Sequence, residues 1–212
     1  MLAFNTQGAS EYDDLPKTTS TKEFFAKVAS QSRGPSILLL AGSDFASWTV
    51  RQQQAILRYD RRPSDYSHAL LVLEWNAEHP ELSFGFEVDP VRLAAREQKP
   101  EQGGVTPFRV RDFMNAKAYP NLAVIDVPLE GEMRERVLVA AREPMRDVLR
   151  YPLLRLLAVW RAFVTAPESV PHPLLNRTPH PGAAYVAMAY EAAEVTLVPG
   201  ATDMQHCPEV LW

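Results

Sequence analysis

Cysteine is the residue that this sequence has least of, because Cys207 is the only one among its 212 residues. A single cysteine excludes an internal disulfide framework and any zinc site built from several thiolates. Histidine is also sparse, with five copies, and no two of them have the spacing with which a helix holds a metal ion. The sequence therefore predicts no metal and no other cofactor.

Positive charge and long apolar runs are scarce as well. Acidic residues outnumber basic ones by 26 to 22, so the chain has no basic excess that would attract nucleic acid, and we do not expect nucleic acid as a partner. The most apolar helical stretch, residues 151–164, contains two arginines and is shorter than the roughly 20 residues of a membrane span. The N-terminus has no signal-peptide pattern. We expect a soluble protein, cytoplasmic or exported without a leader, and peripheral membrane contact stays open.

Apolar residues make up 46% of the chain, which is enough for one domain with a sizeable core. Residues 1 to about 20 lack periodicity and predict a loose arm. A short helix follows in "TKEFFAKVAS", with Ser20 or Thr21 as its cap. We therefore divide the chain into an N-terminal arm with a short helix, 1–33, and a folded domain, 34–212.

Short apolar runs and helical patterns alternate along the domain. The runs "SILLLAG", "YSHALLVLEW", "ELSFGFEVDP", "TPFRV" and "NLAVIDVPL" have the length and composition of strands. Phe45 and Trp48 belong to an apolar set at helical spacing in "SDFASWTVRQQQAILRY". Two helices are predicted between residues 130 and 164, and an irregular proline-rich segment follows them. The last helix contains Ala187, and Pro208 begins a terminal helical turn.

His68 is the histidine with a candidate catalytic role. It lies inside an apolar run, where an imidazole needs a hydrogen-bond partner. Glu87 lies on the next predicted strand, and antiparallel neighbours can bring these side chains within cross-strand distance. A carboxylate there would hold the tautomer and favour the imidazolium, as in a catalytic triad. A purely structural histidine is the alternative, and Asp89 is the second candidate partner.

The order of several motifs carries a resemblance to a known family. "GPSILLLAG", a helix, "SDYSHALLVLEW" and "FEVDP" are followed by "TPFRVRDFM", "NLAVIDVP", "RVLVAAREPMRDVLRYPLLRLL" and "YVAMAYEAAEVTLVPG". This succession resembles the circularly permuted papain-like cysteine hydrolases, the permuted branch of the NlpC-type superfamily, over residues 34–212. The chain departs from the family at Tyr151 and Pro152, where a Tyr-Asp pair is usual.

The resemblance implies an α+β papain-like fold in permuted order, with an antiparallel sheet packed against helices. It implies that His68 is the catalytic base and Glu87 its polar partner. The family's last helix is commonly written Tyr-x-Cys-Ser-Glu-Leu-Val, and Ala187 occupies the place of its nucleophilic cysteine. A cysteine at a helix N-terminus gains thiolate stability and oxyanion donors, and we expect Ala187 at such a terminus.

The implied function is hydrolysis of an amide, ester or thioester bond in a peptide, peptidoglycan or lipid acyl substrate. Alanine cannot act as the nucleophile, so the resemblance implies that the chain has lost the cysteine naturally or by deliberate replacement. Otherwise Ala187 is simply a helix-forming residue of a core helix. The alternative is a non-catalytic binding module with a protein partner. Cys207 is a competing nucleophile, but we expect it to cap the terminal turn with an ordinary thiol pKa of about 8.5. Family members commonly have a Ser-Pro or Thr-Pro cap there.

Overall fold

The structure is a computed structural model, and it describes residues 2–5, 20–32, 34–88, 105–142, 162, 180–201 and 206–212. Its centre is an antiparallel sheet with helices packed on both faces. This arrangement confirms the predicted α+β class. The permuted papain-like order stays a prediction.

The sheet has six strands in the order β1-β6-β2-β3-β4-β5, and every neighbouring pair is antiparallel. The bounds are β1 Leu2–Asn5, β2 Ser36–Ala41, β3 His68–Glu74, β4 Phe84–Val88, β5 Val105–Arg109 and β6 Asn121–Asp126. The five strands predicted from apolar runs are confirmed. Strands β2, β3 and β6 are nearly continuous apolar runs because the sheet is covered on both faces there, whereas β4 and β5 include polar and partly exposed positions.

Five α-helices surround the sheet in the described residues: α1 Thr21–Gln31, α2 Phe45–Gln54, α3 Gly131–Ala140, α4 Pro181–Glu191 and α5 Pro208–Leu211. Short 3-10 helices cover Ala55–Leu57, Pro80–Leu82 and Val110–Phe113. Ser20 caps α1, since its hydroxyl accepts from the Glu23 N–H at 3.2 Å. Over the part of the chain that is described, none of the helices is long and apolar enough to cross a bilayer.

Two cores lie on opposite faces of the sheet. One packs Leu39 and Leu71 of the sheet against α3 and α4. The other packs Leu38 and Leu70 against Phe25 of α1 and its neighbours. Because successive strand residues point to opposite faces, neighbouring leucines of one strand supply both cores.

Helix α4 runs along β3 in close contact with it. A Cβ on Gly182 would lie 2.5 Å from the carbonyl oxygen of Ala69, so glycine permits this approach. Near the other end of the helix, the Tyr190 hydroxyl donates to the carbonyl of Pro35 at 2.9 Å. Pro35 precedes β2, whose first residue pairs with Val72 near the end of β3. The N-terminus of α4 therefore lies at the His68 end of β3.

The loose N-terminal arm is a wrong prediction for residues 2–5. These residues form β1 and pair with residues 121–124 of β6. The backbone of an exposed strand edge can recruit a segment without any apolar periodicity, which explains the miss. The second helix predicted before residue 164 and the proline-rich segment lie almost entirely outside the described residues.

Candidate active site

Two polar side chains in the first turn of α2 lie beside the start of β3. Asp44 is the N-cap of α2, and its Oδ1 accepts the Ser47 backbone N–H at 2.9 Å. The Ser47 hydroxyl donates to the other carboxylate oxygen at 2.6 Å. A Cβ on Gly42 would collide with both side chains, so a glycine is needed there. Ser47 is only 1% exposed, whereas Asp44 reaches solvent.

The Ser47 hydroxyl also contacts His68, whose Nε2 lies 3.1 Å from Oγ. A carboxylate can only accept, so the single hydroxyl proton of Ser47 goes to Asp44. The hydroxyl oxygen must then accept a hydrogen from Nε2 of His68. In the neutral imidazole the lone pair is therefore on Nδ1. We call this chain of contacts the Asp44–Ser47–His68 relay.

The relay stabilises the Asp44 carboxylate in its ionised form. Burial acts to raise the pKa of Asp44, but the hydrogen bonds from Ser47 and the positive charge of His68 outweigh it. The pKa of Asp44 thus lies below its ordinary value, and the side chain carries a full negative charge at neutral pH.

His180 is the N-cap of α4, and its ring lies next to His68. The ring centroids are 6.2 Å apart at an interplanar angle of 74°. The ring is 3% exposed, and neither nitrogen has a well-formed hydrogen bond in the described part of the chain. Burial, followed by the charge of His68, lowers the pKa of His180 to about 3, although the Ser67 backbone acts in the opposite direction. His180 is therefore a neutral imidazole at physiological pH.

Glu87 lies on the strand next to His68, as predicted. The register that pairs Leu71 with Phe86 places Glu87 across from Leu70. Leu70 and His68 share a face by strand alternation, so Glu87 is a diagonal neighbour of His68. A hydrogen bond between the two side chains stays a prediction, and Asp89 lies outside the described residues.

Ala187 is not at a helix N-terminus, which corrects the prediction. Helix α4 begins at Pro181, and Ala187 is its seventh residue, about 9 Å along the axis. Proline is favoured at the first helical position, so the small residues after it are already helical rather than a lead-in. Because α4 runs from the His68 end of β3 towards its other end, Ala187 lies buried away from His68. His180 occupies the terminus instead.

Cys207 is at the N-cap position of α5, as expected from the proline that follows it, but its side chain makes no capping hydrogen bond. Its predicted ordinary pKa is wrong, because burial raises the pKa of the thiol to about 12. The side chain is packed with Leu57 and Val210. A buried, protonated thiol is a poor nucleophile, so Cys207 does not fit the alternative role considered for it.

Sequence reasoning missed three residues of this site: Asp44, Ser47 and His180. The motif "SDFAS" predicts a helix cap at its start but gives no contact with a distant histidine. His180 lies in proline-rich sequence, which gives no sign of a contact with His68. The signal that was available is Pro181, since a proline at the first helical position makes the preceding residue the N-cap.

The described residues contain no group of three or more histidine, cysteine or acidic side chains arranged to hold a metal ion. Comparisons of the chain with protein-family models, with curated proteins and with solved structures find no match. The function is therefore inferred from the geometry of the relay and of its neighbour, His180.

Proposed function

We propose that the protein has the site of a thiol-dependent acyl hydrolase from which the thiol is missing. In the chain as it stands, this site binds an ester, thioester or amide substrate and does not cleave it rapidly. The observation that carries the proposal is the Asp44–Ser47–His68 relay beside the N-terminus of α4. A peptide, a peptidoglycan stem peptide and a lipid acyl group all contain a carbonyl that suits this chemistry.

The relay prepares His68 to act as a general base. Ser47 accepts from Nε2, so Nδ1 carries the lone pair of the neutral ring and is the atom that takes a proton in general-base catalysis. The ionised carboxylate of Asp44 stabilises the imidazolium that forms, through the intervening hydroxyl.

The N-terminus of α4 is the place where a nucleophile would receive the most help. In the first turn of α4 the backbone N–H groups of Gly182 and Ala183 have no intrahelical acceptor, whereas Pro181 has no N–H and that of His180 donates to the carbonyl of His206. The helix dipole also favours negative charge there. Both effects stabilise a thiolate and the oxyanion of an acyl intermediate. His180 is the residue of this terminus whose side chain faces His68. Residues 181–184, which complete the first turn, have no thiol or hydroxyl.

The experiment is to place a thiol at this position with His180→Cys. Cys207 is a matched internal control, because both residues are buried N-caps followed by proline, and only residue 180 has His68 beside it. We expect the new thiol to titrate below the free-cysteine value of about 8.5, and therefore well below the buried Cys207. Ultraviolet absorbance of the thiolate measures this without any reagent entering the site, and mass spectrometry after iodoacetamide treatment assigns the reactive cysteine.

Two further variants make the result specific. His68→Ala in the same background should remove the difference from Cys207. Ala187→Cys should give a thiol that is indifferent to His68, since residue 187 lies two turns into the helix. A thiol at residue 180 that titrates like Cys207, or that ignores His68→Ala, rejects the hydrolase proposal and leaves a binding module as the function.

A further inference from the structure

Two exposed aromatic side chains belong to the first turns of α2, the helix that carries Ser47 of the relay. Phe45 and Trp48 are the first and fourth residues of α2, and they are 79% and 52% exposed. Their ring centroids are 5.9 Å apart, with an interplanar angle of 23°. Helix α2 buries Ser47 and Val50 rather than these two rings. We call these two side chains the Phe45–Trp48 pair.

The same helical turn carries an exposed negative charge. Asp44 directly precedes Phe45, and none of the ion pairs among the described residues involves its carboxylate. The faces of aromatic rings are electron-rich and attract cations, tryptophan most strongly. An ionised carboxylate and two ring faces within one turn therefore favour the same kind of ligand group.

We propose that Asp44 and the Phe45–Trp48 pair form a binding subsite for an ammonium group of the substrate. The inference rests on the proposed function, because it assigns this group to the molecule whose carbonyl reaches His68. Ser47 lies between the two rings in sequence and contacts His68. The rings and the residue that contacts His68 thus lie in the same turn of α2, with the rings exposed and Ser47 buried.

A cationic group fits these observations better than an acyl chain or a sugar ring does. An acyl chain would gain from contact with the rings. It would also displace water from the charged Asp44 carboxylate, which costs free energy. A sugar can stack on the rings without any need for a net charge. Only a cation gains from both the rings and the carboxylate.

The test is a binding titration of the unmodified chain with choline and with its uncharged tert-butyl analogue, in which carbon replaces the quaternary nitrogen. Saturation-transfer nuclear magnetic resonance of the ligand's methyl protons reports binding in every variant, and no turnover is needed. We expect choline to bind at least tenfold more tightly than the analogue. Trp48→Leu should weaken choline binding about tenfold, and so should Asp44→Asn, which keeps a good N-cap but removes the charge.

Tyr59→Leu is the matched control, because Tyr59 is a fully exposed aromatic residue after α2 and away from the relay. It should leave choline binding unchanged. Equal binding of choline and the uncharged analogue would overturn the proposal and indicate an apolar acyl surface. Choline binding that survives both Trp48→Leu and Asp44→Asn would also overturn it. Since choline binding and the thiol titration at residue 180 are separate measurements, failure of the subsite and failure of the hydrolase proposal can be told apart.

Discussion

Asp44 has three roles that depend on one another. Its carboxylate caps α2, accepts the Ser47 hydroxyl and so holds His68, and provides the exposed charge beside the Phe45–Trp48 pair. The first role is the usual one for an aspartate before a helix. The second requires the carboxylate to be ionised, so the site and the stability of α2 share one titrating group.

Asp44→Asn is predicted to change how stability depends on pH. The pKa of Asp44 is lowered in the folded state, so ionisation contributes stability above the unfolded value of about 3.9, and this contribution is lost as the pH falls through the folded value. The wild-type advantage over Asp44→Asn in free energy of unfolding should be constant near neutral pH and shrink below about pH 4. Urea denaturation across this range measures it. An advantage that does not change with pH would mean that the Asp44 charge is not held by the relay.

Single residues of the site were predictable where their immediate sequence surroundings required a hydrogen-bond partner. An imidazole inside an apolar run must have a partner, which singled out His68. Strand alternation offered only Glu87 and Asp89 as partners, because it describes the sheet alone. Ser47 reaches His68 from a helix, and that contact depends on how α2 packs across the end of β3. No pattern in the sequence encodes such packing.

At the scale of elements, the close approach of α4 to β3 positions the site. Gly182 lies against Ala69 of β3, only one residue from His68. This contact fixes the height of the α4 N-terminus over the strand, and with it the position of His180. A helix that sat further from the sheet would separate the His180 and His68 rings.

Gly182→Ala is predicted to destabilise the protein by about 1–3 kcal/mol, because the new methyl group meets backbone rather than a flexible side chain. Gly34→Ala is the control, since its nearest neighbour would be the Leu129 carbonyl oxygen at 3.9 Å. We expect Gly34→Ala to leave the free energy of unfolding nearly unchanged. Urea denaturation of both variants provides the comparison. Equal losses in free energy of unfolding would contradict the close contact between Gly182 and Ala69.

The strands of the central sheet were predictable because a sheet covered on both faces reads as short, continuous apolar runs. The start of α4 was not, because Gly182 and the alanines after it look like a small-residue lead-in as much as a helix. The buried face of α2 was not predictable for a different reason. Helical spacing of Phe45 and Trp48 shows that they share a face, but it does not tell whether that face meets the core or solvent.

Across the whole molecule, the C-terminal segment connects the two helices that build the site. The carbonyl of His206 accepts the backbone N–H of His180 at 3.1 Å. Gln54, at the end of α2, accepts the backbone N–H of Glu209 at 2.9 Å, and Arg58 pairs with the Glu209 carboxylate at 3.2 Å. Residues far apart in sequence thus hold α2 and the α4 terminus against β3. Long-range contacts of this kind leave no periodic signal in the sequence.

The most direct test of the account is the protonation of the two ring nitrogens of His68, measured by nitrogen-15 nuclear magnetic resonance on histidine-labelled protein. The relay predicts that the neutral ring carries its hydrogen on Nε2 and its lone pair on Nδ1, because Ser47 accepts from Nε2 and donates to Asp44. Ser47→Ala should abolish this preference. A ring protonated on Nδ1, or a preference that Ser47→Ala leaves intact, would contradict the relay and the function inferred from it.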